Sequence, residues 1–210
     1  FFIHLNRLER DSLMIVWLGK VTANGSTNSV EFTSISQSYK RLILTGNFRS
    51  NTYTVSNPFS ATGAVQFNGS NASTYGNTLA GQTRRGGSAT TAVGYSGPAA
   101  SDKWTTEGIG SGIDFYTATN YGSSTNMTCL WMEIHNYTST TTYQKKGVQT
   151  KFGVLQTGPV FGNYPYLQYE TGAVDTSLTA VTSIQFKLNT GSDEWVSGSY
   201  WNLYGVSNTN

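Results

Sequence analysis

The sequence is short of cysteine, histidine and charge, and each shortage removes a class of function. A single cysteine, Cys129, among 210 residues cannot close an internal disulfide, and it reads as a small buried hydrophobe. Two histidines, His4 and His135, leave little imidazole for acid–base or metal chemistry. Charged residues make up only 11% of the chain and the formal net charge is +2. Its basic residues are scattered, so the dense Lys/Arg patch that a nucleic-acid footprint needs is missing. No apolar run approaches the roughly 18 residues of a membrane span. The run Met14-Ile-Val-Trp-Leu18 is too short for the apolar region of a signal peptide and follows acidic residues. The expectation is a soluble chain that is not exported, with no nucleic-acid or membrane partner.

What fills the sequence instead is Ser, Thr, Asn, Gly and aromatics. Aromatic residues make up 13% of the chain, which supplies core volume that a disordered, polar chain would lack. Helix formers are scarce, whereas Thr, Tyr, Val and Trp suit a pleated, half-buried surface. A chain of this length buries roughly 70% of the surface its unfolded form exposes, so one domain stands without a disulfide or structural metal. In Val181-Thr-Ser-Ile-Gln-Phe-Lys-Leu188, Ile184, Phe186 and Leu188 share one parity and Gln185 and Lys187 the other, the period of a strand with one buried and one wet face.

The same pattern, punctuated by turn residues, predicts strands over Ile15 to Val21, Ser29 to Phe32, Arg41 to Phe48, Ala64 to Phe67, Ala89 to Tyr95, Ile113 to Ala118, Met127 to Tyr137, Val148 to Gln156, Tyr166 to Tyr169, Ser183 to Leu188 and Tyr200 to Val206. Asn24-Gly25, Asn68-Gly69, Gly86-Gly87 and Ser197-Gly198 mark turns, because Asn and Gly tolerate positive φ. The fold class is all-β: an antiparallel β-sandwich, jelly-roll-like, with long loops at one end drawn from the loop-rich stretch Ser50 to Gly87. Residues 1–13 carry four charges in a pattern unlike anything downstream and are expected to be an N-terminal extension, upstream of a natural start at Met14. Residues 14–210 form a single sandwich domain.

Chemistry-bearing constellations are thin. Glu133 and His135, two apart on a predicted strand, share with Trp131 the face opposite Thr128, Leu130, Met132 and Ile134. They could form an acid–base pair, but no nucleophile motif or third orienting group accompanies them, and a polar outer face or subunit contact is the simpler reading. No Gly-x-Ser-x-Gly elbow, zinc-spaced His/Cys cluster or calcium loop occurs. Asp102, Glu107, Asp114, Glu133, Glu170, Asp175, Asp193 and Glu194 could supply a glycosidase pair, yet most of them read as ordinary solvated charges. Aromatics are the better candidates: Phe161, Tyr164, Tyr166 and Tyr169 crowd a segment short of aliphatics, and Tyr53, Phe59, Tyr75, Trp104 and Tyr121 sit in loop-like sequence. Exposed Tyr and Trp stack on sugars or anchor protein interfaces. Arg84 and Arg85, beside Gly86-Gly87, form a basic loop tip suited to a carboxylate. The candidate contact residues are therefore Arg84, Arg85, Tyr164, Tyr166, Tyr169, Trp131 and His135, with no catalytic residue, cofactor or metal.

Three stretches carry a resemblance. They are Met14 to Asn51, which includes Phe32-Thr-Ser-Ile35 and Ser38-Tyr-Lys-Arg-Leu-Ile-Leu44; Met132 to Gly153, with its Asn136-Tyr137 turn and Lys-bearing strand; and Ala180 to Ser207, ending in Leu203-Tyr-Gly-Val206. Together they resemble the β-sandwich or jelly-roll structural proteins of tailed-bacteriophage virions, while Ser50 to Tyr121 has no counterpart. The resemblance implies a non-enzymatic capsid decoration or fibre/tail-associated subunit, made in the bacterial cytoplasm and placed on the virion. It also implies a homo-oligomer, a trimer favoured, with phage capsid or tail proteins as partners and a host-surface glycan as a further one. A carbohydrate-binding module of the same sandwich class is the alternative, with a polysaccharide-degrading enzyme behind it.

Overall fold

In the computed structural model the chain is described over residues 13–51, 62–69, 75–76, 81–83, 93–95, 113–116, 127–141, 143–144, 146–156, 164–175, 178–188 and 191–208. These residues contain no helix and form two antiparallel sheets. The larger runs β1 (Leu13–Thr22), β13 (Tyr200–Asn208), β3 (Arg41–Phe48), β9 (Thr128–His135), β10 (Lys146–Gln156), β11 (Tyr164–Asp175), β6 (Gly81–Thr83) and β7 (Val93–Tyr95), with β5 (Tyr75–Gly76) paired to β11. The smaller runs β2 (Ser29–Phe32), β12 (Ile184–Leu188), β4 (Thr62–Phe67) and β8 (Ile113–Tyr116). The fold is the expected all-β sandwich. The connections that would define a jelly-roll path cross residues outside those described, as does the predicted turn at Gly86-Gly87.

Alternation in the sequence becomes layering in the fold. Leu42, Leu44 and Phe48 of β3, Leu130, Met132 and Ile134 of β9, and Trp201 and Leu203 of β13 point inward from the larger sheet. They meet Phe32, Val65, Phe67, Ile184, Phe186 and Leu188 of the smaller one. Each is 7% exposed or less, so hydrophobic burial at roughly 25 cal/mol per Å² is the main force joining the layers. At one end the indole of Trp201 stacks on Phe48 and Phe186 and meets Trp195 edge-on.

Two glycines in β3 and β13 are required by close approach rather than by turns. A Cβ on Gly46 would stand 2.8 Å from the Tyr200 carbonyl oxygen and 2.9 Å from Trp201 Cδ1. One on Gly205 would stand 2.4 Å from the ring of Tyr39, which packs across the strand there. The turns behave as their residues require: Gly25, Asn68, Gly69 and Gly198 all take positive φ.

Tyr137 ties three connections together. It follows Asn136, a positive-φ residue that ends β9. Its hydroxyl donates to the Ser36 carbonyl and accepts from the Tyr39 amide at 3.2 Å. Its own carbonyl accepts from the Val181 amide at 2.8 Å. Burial raises the phenol above its ordinary pKa of 10.0, the hydrogen bond from Tyr39 partly opposing. Because the folded value is the higher one, the group's stabilising contribution is intact below about pH 10 and is lost as pH rises through the folded pKa. Tyr137→Phe should cost about 1–2 kcal/mol at neutral pH through the two unpaired backbone groups. It should also flatten the alkaline limb of stability. Urea unfolding of both proteins from pH 7 to 11 checks this, and parallel alkaline limbs would refute it.

Candidate functional site

The outer face of the larger sheet is read directly from strand register, because residues opposite one another in an antiparallel pair share a face. One row runs Ile15, Val206, Arg41, His135, Gly147. The next runs Trp17, Tyr204, Ile43, Glu133, Gln149, and a third runs Lys20, Asn202, Thr45, Trp131, Lys151. A fourth adds Thr22, Tyr200, Asn47 and Cys129. The strands place these side chains outward because the opposite parity is committed to the core. The resulting face is broad and mixes aromatic with charged side chains: Trp17, Tyr204, Trp131 and Tyr200 beside Arg41, Glu133, Lys20 and Lys151.

Its polar groups are largely spoken for. Asn47 Nδ2 donates to the Tyr200 hydroxyl at 2.7 Å, and Cys129 Sγ donates to Asn47 Oδ1 at 3.0 Å. Lys20 Nζ lies 4.6 Å from the centre of the Tyr200 ring, and Lys151 Nζ lies 5.2 Å from that of Trp131, within cation–π range. Val206, though on this outer face, is only 1% exposed, flanked in its row by Ile15 and Arg41. Cys129 corrects the sequence expectation of a buried hydrophobe: it is exposed, because it shares parity with Trp131 and not with Leu130.

Glu133 and His135 do come together, with Arg41 as a third member that the sequence reading missed. Glu133 Oε1 lies 2.7 Å from Arg41 Nη1 and 3.4 Å from His135 Nε2. These are charge contacts without hydrogen-bond alignment, since Oε1 accepts no aligned donor. The Glu133 side chain is 10% exposed, so its carboxylate depends on the guanidinium in place of water. Arg41→Ala should leave that charge near-buried beside His135 alone, at a cost of about 1–2 kcal/mol. Denaturant unfolding of Arg41→Ala, Glu133→Gln and the double variant measures it. A double variant no more stable than the sum of the singles predicts would show that the contact contributes nothing.

The other sequence-derived candidates fall unevenly. Trp131 and His135 both lie on this face, half-buried. The backbone of Tyr164, Tyr166 and Tyr169 lies in β11, in register with Gln156, Val154 and Lys151, so Tyr169 extends the row of Trp131. Arg84 and Arg85 lie outside the described residues, as do Tyr53, Phe59, Trp104, Tyr121 and Phe161. Tyr75, read as loop, is in β5. Trp17, Tyr204 and Arg41 were not singled out from the sequence. Parity within β13 and β3 would have turned Tyr204 and Arg41 outward, but no one-dimensional signal makes their strands neighbours.

Among the described residues no three or more His, Cys, Asp or Glu side chains gather as a metal site would require. Chemically, the face offers flat aromatic rings interleaved with amides and hydroxyls. Such a surface suits stacking and extended contact with another protein or a saccharide. Compared with known proteins, the chain matches no family model and no curated protein.

Proposed function

We propose that the chain is a non-enzymatic structural subunit of a tailed-phage virion, a capsid decoration or a fibre/tail-associated protein that assembles with copies of itself and attaches to the particle. The observation that carries the reading is the outer face of the larger sheet, where Trp17, Tyr204, Ile43 and Trp131 occupy neighbouring rows. A broad sheet face that carries exposed aromatic groups is an adhesive surface, and repetition on a symmetric particle lets weak contacts sum to high avidity. The resemblance adds the viral setting: two of its stretches include β3 and β13, which lie side by side in the larger sheet. Co-sedimentation of the purified protein with particles of the encoding phage, produced without this gene, tests the reading. Saturable binding is expected, and a protein that stays in the supernatant at every concentration refutes it.

The aromatic face also favours a second reading, a carbohydrate-binding module. Glycan-array binding that is lost in both Trp17→Ala and Trp131→Ala, with folding intact, would replace the first reading by the second.

A further inference from the structure

Among the described residues, strand β1 is an edge of the larger sheet. It ends the larger sheet, paired to β13 on one side, and no described strand pairs with its other side. Edge strands of monomers are ordinarily blunted by charge, proline, a bulge or brevity. This one is ten residues long, has Lys20 as its one charge, and lacks proline. Its register shift lies between Trp17 and Gly19, leaving Leu13 to Trp17 as a regular ladder. Over that ladder the side chains are apolar and wet: Leu13 is 59% exposed, Met14 46%, Ile15 61% and Trp17 61%. Only two other large hydrophobic side chains are comparably exposed among the described residues, Tyr143 and Leu178.

We infer that β1 is a homotypic docking edge, on which the β1 of a second copy pairs antiparallel across a twofold axis to continue the larger sheet from one molecule into the next. The inference takes from the proposed function the expectation of a like partner, and three features of the strand narrow that partner to β1 itself. The first is length: the other described edge strands, β5, β7, β2 and β8, have two, three, four and four residues, whereas a second β1 matches the five-residue regular ladder Leu13 to Trp17 in full. The second is chemistry. With Ile15 at the dyad, Leu13 of each copy faces Trp17 of the other, and the exposed apolar residues cover one another. The third is charge: the two Lys20 ammonium groups fall at opposite ends, roughly 30 Å apart, beyond the screening length at physiological salt.

Four half-exposed side chains present on the order of 400 Å² of apolar surface per copy. Two copies with their shared ladder then approach about 1,000 Å², the lower limit for a specific interface. A reversible dimer with a dissociation constant in the micromolar range is expected. The contact is isologous, so it closes on itself and does not propagate.

Sedimentation equilibrium of the full chain from about 1 to 200 μM reads the outcome. The mass should rise from 22.8 kDa towards twice that value with concentration. Ile15→Lys and Trp17→Lys, each at an exposed site, should weaken association at least about tenfold with circular dichroism and melting unchanged. Leu178→Lys, exposed but off the edge, should leave it alone. A wild-type monomer throughout this range, a trimer, or open-ended growth overturns the twofold edge contact. So does an oligomer indifferent to both β1 variants, although that result would leave self-assembly standing. Attachment to particles is read separately by co-sedimentation, so either idea can fail without the other.

Discussion

Trp201→Ala should be the most damaging single substitution in the described core, costing about 3–4 kcal/mol. Trp201 is fully buried, its ring 5.1 Å from Phe48 and 5.3 Å from Phe186 in stacked geometry and 5.0 Å from Trp195 edge-on. Phe48 in turn meets Trp195 at 5.4 Å edge-on, so the four rings form one cluster drawn from both sheets. Removing the indole leaves a cavity that the stacked neighbours cannot fill without abandoning each other, and Trp→Ala at such sites costs about 3–5 kcal/mol. One feature lowers the figure: the Trp201 Nε1 hydrogen has no partner, so the variant also loses a buried, unsatisfied donor. Neighbouring residues cannot reclaim the space cheaply, since Gly46 is a glycine because the Trp201 ring lies across it. Urea denaturation should show a lower midpoint at unchanged slope, and thermal unfolding a loss of roughly 6–16 °C. A cost below about 1 kcal/mol would mean that the cluster is not the packed junction of the two sheets.

The layers of the fold were legible because alternation is a local property. In β12 the sequence divides Ile184, Phe186 and Leu188 from Gln185 and Lys187, and burial follows that division residue by residue. β3 divides in the same way, and β9 buries its even positions, with Glu133 the one odd position that is buried as well. Two kinds of element escaped. The short strands β5 and β6 span two and three residues, too few to carry any period, and are defined by their partners, β11 for β5 and both β11 and β7 for β6. The strand β11 runs from Tyr164 to Asp175, well beyond the predicted Tyr166 to Tyr169, because pairing along β10 supplies a ladder that Pro165, Glu170 and Gly172 do not advertise.

The candidate face was harder to foresee for a related reason. A face is a property of strand order, and order is set by long-range pairing. Trp17 comes next to Tyr204 across 187 positions of chain, and Arg41 next to His135 across 94, distances at which no periodicity survives. The apolar run at Met14 to Leu18 illustrates the consequence. Apolar residues are on average buried, yet this strand ends the sheet among the described residues, and Met14, Ile15 and Trp17 are exposed. Cys129 errs in the same direction, because a residue type predicts average burial and a strand parity predicts actual burial. Both features rest on pairing: strand order sets which side chains share the outer face, and it leaves β1 at the end of the larger sheet among the described residues.

Asn68→Ala should destabilise the protein by about 2–3 kcal/mol although the residue is exposed. Exposed substitutions usually cost less than about 0.5 kcal/mol, so the prediction rests on what this side chain holds. Asn68 ends β4 in a left-handed conformation, φ 54°, followed by Gly69 at φ 64°. Its Oδ1 accepts from the Thr182 amide at 2.8 Å, the Thr182 hydroxyl at 3.1 Å and the Ser183 amide at 3.1 Å. Its Nδ2 donates to the Ala180 carbonyl at 2.9 Å, and its backbone amide to the Ser183 carbonyl at 3.1 Å. One amide side chain thus pins the segment that leads into β12, the central strand that pairs with both β2 and β4. Each side-chain bond contributes about 1 kcal/mol net, less where water can replace it, and alanine is less tolerant of positive φ than asparagine. Asn68→Asp separates the two contributions: it keeps the acceptor and the backbone tolerance but turns the donor towards the Ala180 carbonyl into a second anionic oxygen. It should fall between wild type and Asn68→Ala when the three proteins are compared by urea unfolding at pH 7. An Asn68→Gly variant, which relieves the backbone and removes every side-chain bond, should remain destabilised by about 1–2 kcal/mol. If Asn68→Gly were as stable as wild type, the turn would owe its stability to conformation alone and the side-chain clamp would be idle.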